Sequence, residues 1–157
     1  MEKRENVAHM LNVGKIEEGF VLDHIKAGRA MQIYHYLELD RLDYPVAIIK
    51  NARSNAMERK DILKIECDIS SLDLDVLGFI DRNITVNVIK DGEIIEKRSL
   101  KLPQELKNVI HCHNPRCITS QERGLSHIFY LADEKTGTYR CRYCDEKYEV
   151  SDAEKFT

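Results

Sequence analysis

Four of the five cysteines in this chain fall in two close pairs, Cys112-x4-Cys117 and Cys141-x2-Cys144, with 23 residues between the pairs. Cysteine thiolates are good ligands for Zn²⁺, which prefers four donors in a tetrahedron with sulfur at ~2.3 Å. Each pair can sit on one turn and offer two sulfurs to one point, and the long excursion lets the second turn face the first. Four thiolates fill the coordination sphere and leave no position for water or substrate. The spacing therefore predicts one structural Zn²⁺ per chain rather than a metal-activated nucleophile. Two disulfides or four unrelated buried cysteines are the alternatives, and iron is a further rival because sulfur ligands also suit iron–sulfur chemistry. His111 and His113 flank Cys112 and are expected to be exposed turn residues. Cys67 stands alone in a strand-like run and reads as a small buried hydrophobe. His127, within Ser126-His127-Ile128-Phe129-Tyr130, reads as structural.

Other chemistry is sparse. The chain has no phosphate-binding Walker loop, no Gly-x-Gly-x-x-Gly, no Gly-x-Ser-x-Gly and no His-Glu-x-x-His. Asp23-His24 resembles an acid/base pair, but adjacent strand residues point to opposite faces, so the two are poorly placed as a dyad. Arg59-Lys60-Asp61 with Lys64 forms a small cationic group that, taken alone, reads as a solvated loop and strand face. Lys60, Lys64 and Lys97 can bind an anion only if the fold gathers them.

The elements that must position these residues fall into two regions. Gly19 to Ile25 reads as a strand, and residues 29–39 as a helix because Ala30, Ile33, Tyr34 and Leu37 recur at helical spacing. Pro45 to Lys50 and Ile62 to Cys67 read as strands. Ser71 is a plausible N-cap for a short helix to about Ile80. Ile84 to Lys90 alternates as a strand, Asp91-Gly92 signals a type I′ hairpin, and Glu93 to Arg98 returns. That order is a ferredoxin-like α+β unit, an antiparallel sheet with two helices, extended by one hairpin strand. One sheet face would be covered by the helices and the other left for a partner or a second copy. A boundary near Ser99–Pro103 separates residues 1–102 from a small all-β zinc-binding domain, 103–157. So small a unit has little core, and metal often supplies the missing stability.

Composition is that of a soluble globular protein: 157 residues, 43% hydrophobic, 32% charged, net charge −3. Residues 1–102 carry 16 Lys/Arg against 18 Asp/Glu, and 103–157 carry 8 against 9. Neither part has the basic footprint of a nucleic-acid binder. The polar start Met1-Glu2-Lys3-Arg4-Glu5-Asn6, and the lack of an apolar run near ~20 residues, suggest a cytoplasmic protein without a membrane span.

Several segments together resemble the regulatory chain of aspartate carbamoyltransferase. They are Val21-Leu22-Asp23-His24-Ile25, Arg59 through Glu66, Thr85-Val86-Asn87, and Asn108 through Asn114 leading to Cys117-Ile118-Thr119. The cysteine spacing matches too, and the similarity runs in order over roughly residues 10–150. The resemblance implies a non-catalytic, two-domain subunit of pyrimidine biosynthesis. Its first domain would bind nucleoside triphosphates such as CTP and ATP as allosteric effectors. Its zinc domain would hold the catalytic chain, with regulatory chains paired as homodimers between catalytic trimers. Carried over by position, Asp23 and His24 match the effector-site pair, and Lys64 and Lys97 match basic residues near base, ribose and phosphates. Lys60 matches a further cation, and Val13, Ile16, Val21, Asn87, Ile89 and Ile94 match walls around the nucleotide. Gly14-Lys15 and Gly92 depart from relatives close to that site. Asn114 and Arg142, beside the metal turns, are the candidates for contact with the catalytic chain. Two rival readings are a zinc-ribbon nucleic-acid-binding module and a stand-alone enzyme using Asp23 and His24.

Overall fold

The computed structural model describes residues 14–55 and 58–148. Val13, the polar N-terminal stretch and the chain beyond Tyr148 lie outside the described residues.

The first region is a five-stranded antiparallel sheet in the order β2-β3-β1-β4-β5. Its strands are β1 (Gly19–Lys26), β2 (Val46–Ser54), β3 (Glu58–Glu66), β4 (Thr85–Lys90) and β5 (Glu93–Arg98). The first four give the ferredoxin-like order, and β5 is added at the edge of β4. Alternation decides which face is inside. Phe20, Leu22, Leu63, Ile65, Val86 and Val88 are buried on one face. Against that face packs α1 (Ala30–Tyr36) through Ala30 and Ile33, with Leu77 and Ile80 of α2 (Leu77–Ile80) in the same core. The β4–β5 turn is type I′, with φ 54° at Asp91 and 77° at Gly92, the left-handed backbone that glycine adopts without steric cost.

Three elements differ from the sequence expectation. The α2 helix is a single turn from Leu77 and does not begin at Ser71. Upstream, Asp68 accepts from the Ser70 N–H at 2.9 Å and Asp73 from the Asp75 N–H at 2.8 Å. Short polar side chains there bind the backbone in turns and compete with helix formation. Residues 29–39 form α1 only as far as Tyr36. Glu38 then takes φ 54° and a 3₁₀ turn covers Leu39–Arg41. Strands β2 and β3 run well past their apolar cores as a long polar hairpin, because backbone pairing continues where burial stops.

The second region is a four-stranded sheet in the order β6-β7-β8-β9. Its strands are β6 (Glu105–Lys107), β7 (Ile128–Asp133), β8 (Thr138–Cys141) and β9 (Lys147–Tyr148), with the one-turn helix α3 (Ile118–Gln121) between β6 and β7. The two sheets share core contacts. Tyr139 is 1% exposed, its ring meets Phe79 edge-on at 5.4 Å, and its hydroxyl donates to the Pro103 carbonyl at 2.6 Å. Burial pushes the Tyr139 pKa up to about 12, keeping that donor protonated. Gly78 lies so close to the connecting segment that a Cβ there would stand 1.8 Å from the Lys101 carbonyl oxygen.

Candidate functional site

The metal turns come from two places in the second sheet. Cys112 and Cys117 bracket a tight loop closed by the Cys117 N–H donating to the Asn114 carbonyl at 3.0 Å. Asn114 Oδ1 stiffens the loop by accepting from the Arg116 N–H at 3.0 Å. Cys141 ends β8, and the chain reverses at once, with the Asp145 N–H donating to the Cys141 carbonyl at 2.8 Å and Asp145 in left-handed backbone.

These turns converge. All four Sγ atoms of Cys112, Cys117, Cys141 and Cys144 lie within 4.8 Å of one another. The Cys112–Cys144 and Cys117–Cys141 sulfurs are 3.5 and 3.8 Å apart. A tetrahedron of sulfurs at ~2.3 Å from a central Zn²⁺ has edges of about 3.8 Å, so the donor set fits such an ion. All five cysteines are free, and the paired sulfurs stand well beyond disulfide bond length. Three of the four are buried. Burial and the neighbouring thiols raise Cys112 to about 12. At Cys117 burial acts upward, but the Thr119 hydroxyl at 3.0 Å, its N–H and the nearby thiols prevail and bring it to about 7. A cation entering this pocket must therefore displace protons, and its binding is weakened by acid.

His111 and His113 are exposed, and neither joins the sulfur cluster. His111 meets His127 edge-on at 4.4 Å, and His113 stacks on Tyr148 at 5.8 Å. His127 Nδ1 accepts from the Cys112 N–H at 3.5 Å. Its pKa is lowered by burial and then by His111, which favours the neutral ring that can accept. Cys67 is buried away from the cluster. Arg142 projects outward and pairs with Glu105 at 2.9 Å.

A second constellation lies on the first sheet, on the face opposite the helices. Direct partners across strands share a face. The register aligns Lys64, Val21, Asn87 and Lys97 in one row. Ile89 and Ile94 form a neighbouring pair, and Asp23 lies opposite Thr85. Lys60 is on the same face, with its Nζ 2.8 Å from Asp23 Oδ1. At Asp23 burial acts upward on the pKa, while the Lys60 hydrogen bond, the His24 N–H and the Lys60 charge prevail and lower it. Ile16 is half-buried, one residue before Glu17, whose carbonyl accepts from the Gly92 N–H of the β4–β5 turn at 3.0 Å.

His24 requires a correction. Alternation alone separates it from Asp23, but β1 carries a bulge between Leu22 and Ile25, with φ 59° at His24. The extra residue breaks the alternation. His24 Nδ1 then lies 3.0 Å from Oγ1 of Thr85, the residue facing Asp23. Asp23 and His24 thus serve one face. Asn87 adds an acceptor: its Nδ2 donates to the Val21 carbonyl at 3.3 Å, while its buried Oδ1 has no partner among the described residues. Such an oxygen is costly unless something satisfies it.

Sequence reasoning missed two residues. Tyr139, which joins the sheets, carries only the signal of one large aromatic within a polar turn-and-strand run. Asp61, buried behind Lys60, has no local signal that separates it from its charged neighbours.

Among the described residues no helix is long and apolar enough to cross a membrane. Residues 11–101 match the family model for the aspartate carbamoyltransferase regulatory chain, allosteric domain, and residues 104–154 that for its metal binding domain. Among curated proteins, the aspartate carbamoyltransferase regulatory chain of Clostridium acetobutylicum is 51% identical over 144 residues, covering 92% of this chain and 98% of that protein. The protein of the same name from Clostridium botulinum strain Hall is 51% identical over 146 residues, covering 93% and 99%. That from Bifidobacterium longum is 42% identical over 140 residues, covering 89% and 100%.

Proposed function

The chain belongs to the aspartate carbamoyltransferase regulatory chain family, and from that premise we propose that it binds nucleoside triphosphates on the open face of its first sheet and passes their effect to a catalytic chain. The carrying observation is the single-face grouping of Asp23, Lys60, Lys64, Asn87 and Lys97. Lysine ammonium groups neutralise a triphosphate, and Asp23 and the unsatisfied Asn87 Oδ1 accept from sugar hydroxyls or a base amino group. Val21, Ile89 and Ile94 supply apolar walls, Ile16 closes one end, and His24 stands at the rim near Thr85. Val13 is assigned to the same site by position in the family. CTP and ATP are the effectors, and the pathway is pyrimidine biosynthesis in the cytoplasm.

Residues 1–102 form the effector domain in this reading, and 103–157 the docking domain. Zn²⁺, held by Cys112, Cys117, Cys141 and Cys144, crosslinks two turns and leaves no open coordination position. Asn114 and Arg142 lie at the rim of those turns, and the surface they help form is the contact with the catalytic chain. A second regulatory chain completes a homodimer. Regulation follows if a nucleotide binds one quaternary state more tightly than another; equal affinity would shift nothing.

Calorimetric titration of the assembled holoenzyme with CTP and with ATP tests the proposal. Saturable binding of at least one, weakened by Lys60→Ala, is expected. Absence of heat with both nucleotides, in an assembly that retains its metal, would sink it.

A further inference from the structure

A regular strand turns consecutive side chains to opposite faces, yet Asp23 and His24 both reach the open face. The bulge in β1 sets these two residues against the single Ile62 of β3. A second bulge lies on the other side of β3, where Lys50 and Asn51 of β2 oppose the single Asp61. Each bulge puts a non-glycine residue into left-handed backbone, with φ 59° at His24 and 60° at Asn51. L-residues disfavour that conformation, so the surrounding structure must hold it.

Asp61 is in the right place to do so. It is fully buried on the helix-covered face, directly behind Lys60. Its Oδ1 accepts from the Asn51 N–H at 2.8 Å, inside the β2 bulge. Its Oδ2 accepts from the Gly28 N–H at 2.9 Å and the Ala30 N–H at 3.1 Å, in the turn that follows β1. Three backbone donors from two different segments thus end on one carboxylate. A side-chain amide has one oxygen and would turn an NH₂ toward one of these donors. Buried N–H groups left without an acceptor are expensive, so the segments would move.

We propose that Asp61 is the positioning residue of the open face. Its carboxylate holds the β2 bulge directly and the β1 bulge through the turn that follows β1, and so sets the register that keeps Asp23, His24 and Lys60 together in front. If the β1 bulge is lost, alternation carries His24 to the helix side and separates it from Asp23. The functional consequence rests on the nucleotide reading; the positioning itself does not.

The test uses the zinc-loaded full-length chain, with CTP as the calorimetric probe, and compares the parent with Asp61→Asn, Lys60→Ala and the double variant. A loss of about tenfold in CTP affinity is expected for Asp61→Asn, the scale of a lost charge-assisted contact. In the Lys60→Ala background the same change should cost less affinity than in the parent while still lowering the melting temperature, since one of the three groups it positions has been removed. A ligand-free readout runs in parallel. The Asp23 carboxyl, titrated by NMR, should move up toward 3.8 in Asp61→Asn as its pairing with Lys60 loosens. If Asp61→Asn does not fold, Asn51→Ala keeps the N–H to Asp61 but disfavours the left-handed backbone at φ 60° that asparagine tolerates, so it loosens only the β2 arm, and a smaller loss in both readouts is expected. Unchanged Asp23 titration together with CTP affinity within twofold of the parent overturns the inference. If the parent chain does not bind CTP, the nucleotide reading is judged by the holoenzyme titration above, and the Asp23 titration alone decides the positioning role.

Discussion

The two sheets are held together by different means. The first has a continuous apolar core from Phe20, Leu22, Ile33, Leu63, Ile65, Val86 and Val88, and carries its chemistry as side chains on an outer face. The second buries few large apolar residues, chiefly Leu106, Ile110, Phe129 and Tyr139, around a cluster of thiols. Where apolar burial supplies the fold, the outer face is free to carry lysines and an aspartate, the ground for the proposed nucleotide site. Where the core is too small, chemistry is spent on the fold itself, and function is left to the surface that the metal shapes. Losses in the first sheet should therefore register as binding defects, and losses in the second as assembly defects.

The largest effect should come from the metal ligands. Cys117→Ser removes one of four donors, and structural zinc contributes on the order of 10 kcal/mol to the folding of small domains. Loss of bound zinc by elemental analysis, with unfolding of the second sheet by circular dichroism, is the expected outcome. A Cys117→Ser chain that keeps one zinc and its melting temperature would erase the contrast between the sheets.

Next comes the joint between them. In Gly78→Ala the new methyl meets the Lys101 carbonyl oxygen, and relief of such a clash costs about 1–3 kcal/mol. Thermal denaturation should show that loss while zinc content stays at one per chain. Tyr139→Phe removes only the bond to Pro103 and should cost about 1–2 kcal/mol.

On the open face, Lys97→Ala should weaken CTP binding by about fivefold in calorimetry while leaving the melting temperature within a degree or so, because Lys97 is exposed and adds no burial. An equal loss of stability and affinity would mean that this face is structural like the other sheet.

The smallest effect is a pH dependence. Asp23 has a folded-state pKa below its ordinary 3.8. Its pairing with Lys60 thus adds stability above that value, and the contribution is lost as pH falls through the lower folded-state pKa. The pair is partly exposed, so its worth is about 1 kcal/mol or less. Replacing Asp23 by Asn should flatten the acid limb of the stability curve by that amount.

The metal cluster was legible because type and spacing along the chain are sufficient for it; Cys112, Cys117, Cys141 and Cys144 needed only two turns to meet. Most strands of the first sheet were legible from alternation, and the β4–β5 turn from Asp91-Gly92. The open face was harder. That Lys64, Val21, Asn87 and Lys97 form a row depends on strand order and register, which are non-local. The shared face of Asp23 and His24 depends on a bulge that periodicity predicts against. The N-cap expected at Ser71 failed because Ser70 and Ser71 both donate to Asp68, and Asp73 accepts from the Asp75 N–H, closing turns in place of a helix start. Nothing near Tyr139 marks it as the residue that reaches across to Phe79.

The contrast between the sheets is tested most directly by residue-resolved amide hydrogen exchange on the full chain before and after zinc chelation. That contrast requires that Phe129, Leu131 and Tyr139 lose their protection, while Leu22, Leu63 and Val86 keep theirs. Full protection of β7 and β8 after the metal is gone, or prior collapse of β1, β3 and β4, would contradict it.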